Sequence, residues 1–141
     1  MTDFNSSLVD QLRATGGRVT DGPFAGRQLL ILTTTGAKSG ERRETPLVYS
    51  VDGADIVIVA SKGGAPSHPA WYHNIVANPR VTVEVDGAPF EALATIADAD
   101  ERRRLYDQHA ELHASFAEYE SKTSRVIPVI VLRRLAATAA A

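Results

Sequence analysis

The sequence contains no cysteine, a single tryptophan and a single methionine, and no apolar run that approaches the length of a membrane span. The absence of cysteine excludes disulfide bonds, thiolate nucleophiles and cysteine-ligated metals. A membrane-spanning helix would need about 20 consecutive apolar residues. The net charge of −2 provides no general attraction to nucleic acid, so any cationic patch has to be local. We therefore expect no nucleic-acid partner.

The N-terminal sequence, MTDFNSSLVDQLRATGG, lacks the basic start and the apolar stretch of a signal peptide. A cytoplasmic location is therefore the default expectation. The low apolar content of this segment argues against strong membrane binding and leaves only a loose association with a membrane open.

Runs of β-branched and apolar residues predict a chain made mainly of strands. The 141 residues, 44% of them hydrophobic, fit one domain over residues 1–141, with a helical extension over 1–17 and a frayed tail over 136–141. The predicted strands are Gln28–Thr34, Arg43–Val51, Asp55–Ser61, Val81–Val85, Pro89–Ala97 and Val126–Leu132. Asp52–Gly53 and Asp86–Gly87 each predict a hairpin turn between two strands. Pro128 within the last strand indicates an edge position or a bulge.

Three segments have the features of helices. Phe4–Ala14 has apolar residues at helical spacing, and Pro69–Ala77 begins with a proline at a favourable position. Asp98–Tyr119 starts with Asp98 and Glu101, which resemble a capping box. Its predicted apolar stripe consists of Leu105, Leu112, Phe116 and Tyr119. The expected fold class is α+β, mainly β with peripheral helices, and the two hairpins favour a small antiparallel barrel.

Two polar segments each follow a predicted buried strand. Thr33–Leu47 contains three cations and several small residues, so backbone N–H groups and side chains there can converge on an anion. It does not match a Walker phosphate loop, because glycines are missing at the required spacing before Lys38. In the second segment, Ala60–Asn74, glycines permit a close approach of the backbone to a ligand. On residue types alone, solvated loops remain the alternative for both segments.

The sequence shows no nucleophile elbow and no paired carboxylates. Trp71 and Ile75 are one helical turn apart, so Trp71 is expected to pack in the core, and a role as a wall of a binding site is compatible with that. His109 and His113 have a spacing that can hold a metal, but a packed or solvated histidine is the commoner outcome, and we predict no metal site. If the chain is an enzyme, a bound cofactor is expected to perform the chemistry.

Two blocks, LTTTGAKSGERRETPLVY and IVIVASKGGAPSHPAWYHNIVANPRVTVEV, resemble the deazaflavin-dependent nitroreductase family. The ending TSRVIPVIV is also similar, and the resemblance extends from about Leu30 to Leu132. It implies a split β-barrel of the FMN-binding type. It also implies coenzyme F420, a reduced 8-hydroxy-5-deazaflavin with a phospholactyl and oligoglutamate tail, and hydride transfer to a small electron-poor acceptor such as a quinone, nitro compound or activated enone.

The resemblance also implies which residues bind the coenzyme. In the first segment they are Ala37, Lys38, Ser39, Arg42, Arg43, Glu44, Thr45, Pro46, Leu47 and Val48, with the cations at the anionic tail. In the second segment they are Val59, Ala60, Ser61, Lys62 and Gly63, followed by Trp71, Tyr72, His73 and Asn74. Phe116 is the remaining coenzyme-binding candidate. The candidates for donating a proton to the acceptor are Tyr119, His113 and Ser115, with solvent as the alternative.

The sequence departs from the family pattern at the acceptor pocket. Nitro-reducing members line this pocket with several tyrosines of the C-terminal helix, whereas His113 and Phe116 occupy two of those positions here and only Tyr119 matches. This favours a quinone or an activated C=C or C=O compound over a nitroaromatic acceptor. An FMN-dependent split-barrel oxidoreductase is the runner-up, and a non-catalytic F420 carrier is the non-enzyme alternative. The sequence leaves open whether the protein is a monomer or a homodimer.

Overall fold

The structure, a computed structural model, describes residues 9–10, 12–14, 29–61, 68–85, 88–123 and 126–135. The strands in these ranges are β1 (Leu29–Thr35), β2 (Arg42–Val48), β3 (Ser50–Asp52), β4 (Asp55–Val59), β5 (Arg80–Val85), β6 (Ala88–Ile96) and β7 (Val129–Arg134). The helices are α1 (Ala70–Ala77), α2 (Ala99–Leu112) and α3 (Ser115–Ser121), and residues 9–10 and 12–14 are also helical. None of the helices within the described ranges is long and apolar enough to cross a membrane.

The seven strands form one antiparallel sheet in the order β2-β1-β5-β6-β7-β4-β3. Its two edge strands, β2 and β3, are separated in sequence by Tyr49 alone. With neighbouring strands about 4.8 Å apart, a flat sheet would place its edges nearly 30 Å apart. The two Cα steps from Val48 to Ser50 span less than about 8 Å. The sheet is therefore curled, which confirms the predicted split barrel.

Alternation along the strands buries residues on both faces of this curled sheet. Leu30 and Leu32 of β1 lie in the interior cluster, together with Trp71 of α1. Leu29 and Ile31 of the same strand pack on the opposite face against helical residues near the N-terminus. Strands β4 and β7 show the same alternation, with α2 and α3 against their outer face. The helices are thus peripheral, as predicted.

Both predicted hairpins are confirmed by strand pairing. Asp52 pairs with Asp55, so Gly53 and Ala54 form the two-residue loop between β3 and β4. Gly53 has a positive φ of 63°, which a glycine adopts at little cost. In the second hairpin Val85 pairs with Ala88. The turn Asp86–Gly87 itself lies outside the described residues, as do most of Phe4–Ala14 and the tail 136–141.

Two predicted elements are interrupted in the structure. The predicted strand Arg43–Val51 is split at Tyr49, because β2 and β3 belong to opposite edges of the sheet. The predicted helix Asp98–Tyr119 begins as expected, since the Asp98 carboxylate accepts a hydrogen bond from the Glu101 N–H at 3.0 Å. It ends at Leu112, and His113 adopts a non-helical conformation before α3 begins.

The apolar stripe of the predicted long helix and the last strand also differ from the prediction. Leu112 is 66% exposed, because the helix ends there, whereas Leu105 of the predicted stripe is fully buried. Strand β7 begins at Val129 and is an interior strand paired on both sides, so the edge prediction was wrong. Pro128 precedes the strand, where its missing N–H costs no ladder bond, and its carbonyl accepts from the Ala60 N–H at 3.0 Å.

Candidate functional site

The loop between β1 and β2, residues 36–41, is closed by its own hydrogen bonds. The Gly36 N–H donates to the Glu41 carbonyl at 2.8 Å, and the Gly40 N–H donates to the Gly36 carbonyl at 3.0 Å. The Ser39 hydroxyl accepts from the Glu41 N–H at 3.1 Å. Gly40 has a φ of 72°, and a Cβ on Gly36 would lie 2.5 Å from Ser39 Oγ. The positive φ therefore favours glycine at position 40, and a side chain at position 36 would displace the Ser39 hydroxyl that accepts from the Glu41 N–H.

This loop forms one wall of a large open groove, hereafter the groove, with a volume of 1110 Å³. Strand β2 and helix α1 contribute further walls, and the N-terminal helical residues contribute one side. The lining residues are Val9, Asp10, Gly36, Ala37, Lys38, Ser39, Arg42, Arg43, Glu44, Thr45, Ala70, Trp71, His73 and Asn74. The groove thus brings together ten of the predicted coenzyme-binding residues from both polar segments.

The cations of the groove remain available to an anion. The side chains of Lys38, Arg42 and Arg43 are exposed at the mouth of the groove. Among the described residues Lys38 forms no ion pair, and Arg43 pairs only with the exposed Glu41, at 3.1 Å. An exposed pair of this kind is weak and is easily exchanged for another partner. The groove can therefore bind a phosphate or carboxylate group by charge-assisted hydrogen bonds.

Two acidic residues, Asp10 and Glu44, line the groove and would oppose such an anion, and Arg13 neutralises Glu44. The Arg13 guanidinium hydrogen-bonds to the Glu44 carboxylate and holds the pKa of that carboxyl below its ordinary value. Arg13 also approaches Glu84 of β5 at 3.5 Å. These contacts hold the helical residues against the sheet and place Val9 and Asp10 in the groove wall. No sequence signal connects Arg13 with Glu44, because the two residues are 31 positions apart.

Helix α1 closes the groove on the side opposite β2. Trp71 is 6% exposed and packs in the interior cluster, as predicted, while its remaining surface lines the groove. Asn74 is almost as buried, and both ends of its amide are bonded within the protein. Its Oδ1 accepts from the Ala37 N–H at 3.0 Å, and its Nδ2 donates to Thr34 Oγ1 at 3.1 Å. Asn74 therefore ties the β1–β2 loop to α1.

Replacing Asn74 by leucine is expected to weaken coenzyme binding by roughly five- to 150-fold, because two hydrogen bonds worth about 0.5–1.5 kcal/mol each hold the loop in place. Thr34→Val is the matched control, since it removes one of the two bonds and leaves the contact with Ala37 intact. Its effect should be about half as large in free energy. Isothermal titration calorimetry measures both. Equal affinity of Asn74→Leu and the unmodified protein would show that the loop needs no tether.

The remaining predicted coenzyme residues do not line the groove. Pro46, Leu47 and Val48 are half-buried on β2 beyond it, and Tyr72 packs against the interior cluster and His68. Val59, Ala60 and Ser61 are buried at the end of β4. Phe116 is buried on α3. Lys62 and Gly63 lie outside the described residues.

The proton-donor candidates lie at the junction of α2 and α3, away from the groove. The rings of Phe116 and Tyr119 are 5.1 Å apart, and those of His113 and Phe116 are 6.0 Å apart. Ser115 begins α3. Tyr119 is half-buried in the outer cluster that Val48 of β2 also contacts. Since Val48 is six residues from Arg42, β2 connects the cationic groove to these aromatic side chains over about 20 Å.

A buried histidine lies beside this aromatic group. His109 is fully buried, and its Nδ1 lies 2.9 Å from the Ser50 hydroxyl. Burial, with a smaller repulsion from His113, lowers the pKa of His109 to about 3, so its ring is neutral at ordinary pH. The sequence correctly indicates a packed His109, but it contains no sign of the contact with Ser50. Among the described residues, no three possible ligands are grouped as a metal site would require.

Comparisons with known proteins show the family of this chain. The chain matches the family model of the F420H2-dependent quinone reductases over residues 6–134. It is 42% identical over 125 residues to an F420H2-dependent quinone reductase of Mycobacterium tuberculosis, covering 86% of this chain and 84% of that protein.

Two solved structures are similar as well. An F420-H2 dependent reductase, FDR-A, is 39% identical with a TM-score of 0.69, over 74% of this chain and 93% of that one. A structure described as a domain-swapped dimer is 34% identical with a TM-score of 0.72, over 90% and 95% of the two chains. The protein belongs to the F420H2-dependent quinone reductase family.

Proposed function

We propose that this protein transfers a hydride from reduced coenzyme F420 to a quinone. The observation that best supports this is the groove, in which three exposed cations of the β1–β2 loop and β2 face the walls formed by α1. When bound and reduced, the coenzyme supplies a hydride, and a quinone takes up that hydride and one further proton to become a hydroquinone. The protein's contribution is to bind both partners, align them and stabilise developing charge.

The groove residues fit the anionic tail of this coenzyme. Lys38 and Arg43 would bind the phosphate and the carboxylates of the tail, with Arg42 beside them. Because Arg13 already neutralises Glu44, the groove keeps an excess of positive charge. The flat ring system would then extend along β2 towards Val48 and the buried end of β4. Trp71, His73 and Asn74 would enclose the coenzyme from α1.

The acceptor would bind beside Phe116 and Tyr119, where apolar rings suit a quinone. The single tyrosine at this position, in place of several, supports a quinone over a nitroaromatic compound. Tyr119 is the better candidate for the proton donor, because Nε2 of His113 already contacts the Tyr49 carbonyl at 3.0 Å. Tyr119→Phe is expected to lower kcat by tenfold or more, since general acid catalysis contributes about 10²–10⁴-fold.

His113→Ala is the comparison for that experiment. If Tyr119→Phe and His113→Ala both keep the kcat of the unmodified enzyme, solvent donates the proton. If only His113→Ala lowers kcat without weakening the folded state, the histidine is the donor and our assignment is wrong.

The proposed function is tested by titration and turnover. Trp71 is the single tryptophan and lines the groove, so its fluorescence should report coenzyme binding directly. We expect F420 to quench it with micromolar or tighter affinity, and menadione to oxidise F420H2 steadily in the presence of the protein. Tight binding of FMN without binding of F420 would favour the FMN-dependent alternative. Binding of F420 without oxidation by any quinone would favour a carrier.

For the assembly we propose a homodimer, on the basis of the 34% identical relative described as a domain-swapped dimer. Size-exclusion chromatography with light scattering distinguishes a protein of about twice the 15.1 kDa chain mass from a monomer.

A further inference from the structure

The connection between the two edge strands is held by His109 of α2 and by His113, which directly follows that helix. Tyr49 is the one residue between β2 and β3, so it joins the strand of the groove to the opposite edge of the sheet. His113 Nε2 contacts the Tyr49 carbonyl at 3.0 Å, and His109 Nδ1 contacts the hydroxyl of the next residue, Ser50, at 2.9 Å. Two successive residues of this connection are therefore bonded to two histidines one helical turn apart.

The same histidines contact the aromatic side chains of α3. The ring of His109 meets the ring of Phe116 edge to face, with centroids 4.5 Å apart. Phe116 in turn packs edge to face against Tyr119 at 5.1 Å. The Tyr106 hydroxyl donates to the Phe116 carbonyl and fixes the backbone at the start of α3. A continuous set of contacts thus leads from Ser50 through His109 and Phe116 to Tyr119.

Stability alone does not account for a histidine at this position. His109 is fully buried, and its Nε2 has no hydrogen-bond partner among the described residues. An unpaired buried nitrogen destabilises the folded state, whereas an apolar side chain of similar volume would not. Polar groups kept at such a cost are typical of functional positions.

We propose that His109, together with Ser50, is a positioning residue that sets the orientation of Phe116 and Tyr119 relative to the β2–β3 connection. The His109–Ser50 hydrogen bond fixes the plane of the imidazole ring against which Phe116 packs, and Phe116 in turn packs against Tyr119. This proposal rests on the proposed function in one respect: it takes the quinone to bind beside Phe116 and Tyr119.

Three variants test this role. His109→Leu removes the hydrogen bond while keeping most of the volume, and Ser50→Ala removes the same bond with minimal change in packing. Ser50→Thr is the matched control, because it keeps the hydroxyl that bonds to His109 and leaves the imidazole ring against Phe116. We expect His109→Leu and Ser50→Ala to lower kcat/KM for menadione by about tenfold or more, through both kcat and KM, because the displaced Tyr119 is the proton donor as well as part of the acceptor site. The Kd for F420 should not change, and Ser50→Thr should retain most of kcat/KM.

A second measurement does not depend on activity. With fluorotyrosine incorporated at the four tyrosines, the ¹⁹F signal of Tyr119 is identified by its loss in Tyr119→Phe. This signal should shift in His109→Leu and in Ser50→Ala, and it should stay close to its original position in Ser50→Thr. An unchanged Tyr119 signal in both of the first two variants would overturn the proposal, even in a protein that never reduces a quinone.

The kinetic outcomes are equally decisive. Unchanged kcat/KM in Ser50→Ala and His109→Leu would refute the positioning role while leaving the proposed function intact. A parallel loss of F420 affinity in these variants would assign His109 to general stability instead. An unmodified protein that binds F420 but shows no turnover would contradict the proposed function, and the ¹⁹F measurement would still decide the proposal on His109.

Discussion

Replacing Lys38 and Arg43 together by alanine is expected to weaken F420 binding by about 100-fold or more. A hydrogen bond to a charged group contributes about 1.5–3 kcal/mol, and a loss of about 2.7 kcal/mol corresponds to 100-fold in Kd. The lower half of that range applies here, because the groove is open to solvent and Lys38 and Arg43 are exposed. The double variant also leaves Glu41 without its partner, which adds repulsion for an anionic tail.

The salt dependence of F420 binding distinguishes an electrostatic effect of Lys38 and Arg43 from an effect of their side-chain shape. Ionic strength of 0.15 M screens exposed charges over about 8 Å, so F420 affinity of the unmodified protein should fall as salt is raised. The double variant should show a much weaker dependence. Isothermal titration calorimetry at several salt concentrations measures both effects, and the free energy of unfolding in urea should stay the same, because neither side chain is buried.

Arg133→Ala is the control for removing a cation elsewhere. Arg133 is exposed on β7 and interacts weakly with Asp55 at 3.8 Å, outside the residues that line the groove. It should keep both the affinity and the salt dependence of the unmodified protein. An unchanged Kd in the double variant, or an equal loss in Arg133→Ala, would contradict the assignment of the anionic tail to the β1–β2 loop.

The groove was partly predictable because its chemistry is local in sequence. Glycines, a serine and three cations within a few residues form a loop that can bind an anion wherever the fold places it. The contribution of the second segment was also visible, since Trp71 and Asn74 lie on one face of a short helix. The tether between α1 and the β1–β2 loop was not predictable. Asn74 bonds to Ala37 and Thr34, and these residues are separated from it by 37 and 40 positions in the sequence.

The predicted boundaries of one helix and one strand were wrong, because contacts between distant segments interrupt both elements. Periodicity continues from Asp98 to Tyr119, so it indicates one helix, but the side chain of His113 bonds to the Tyr49 carbonyl and the helix ends there. Likewise, residues 43–51 have the composition of one strand. The closing of the sheet divides them between its two edges, and only the complete topology shows this. Local patterns identify elements, whereas long-range contacts decide where these elements break.

Acidification is expected to destabilise this protein well above the pH at which its carboxylates titrate. His109 has an ordinary pKa of 6.5 when unfolded, and burial lowers this to about 3 in the folded state. Between these values the unfolded chain binds a proton that the folded protein does not, so the free energy of unfolding decreases as pH falls through this window. Well above pH 6.5 His109 is neutral in both states and does not lower the free energy of unfolding. Linkage predicts that its titration lowers this free energy by about 2 kcal/mol at pH 5.

His109→Asn removes the titrating ring, so the free energy of unfolding of this variant should lack the decrease of about 2 kcal/mol that the unmodified protein shows on acidification to pH 5. Urea unfolding between pH 8 and pH 5 measures it, and this range avoids Glu44, Asp52 and other paired carboxyls whose pKa values lie below their ordinary ones. Ser50→Ala is the control, because it keeps the imidazole buried and should keep the pH slope while lowering stability at every pH. Parallel curves for the unmodified protein and His109→Asn would show that His109 accepts a proton in the folded state. Such a result would leave the contact with Ser50 in place, because a protonated Nδ1 can donate to the hydroxyl oxygen.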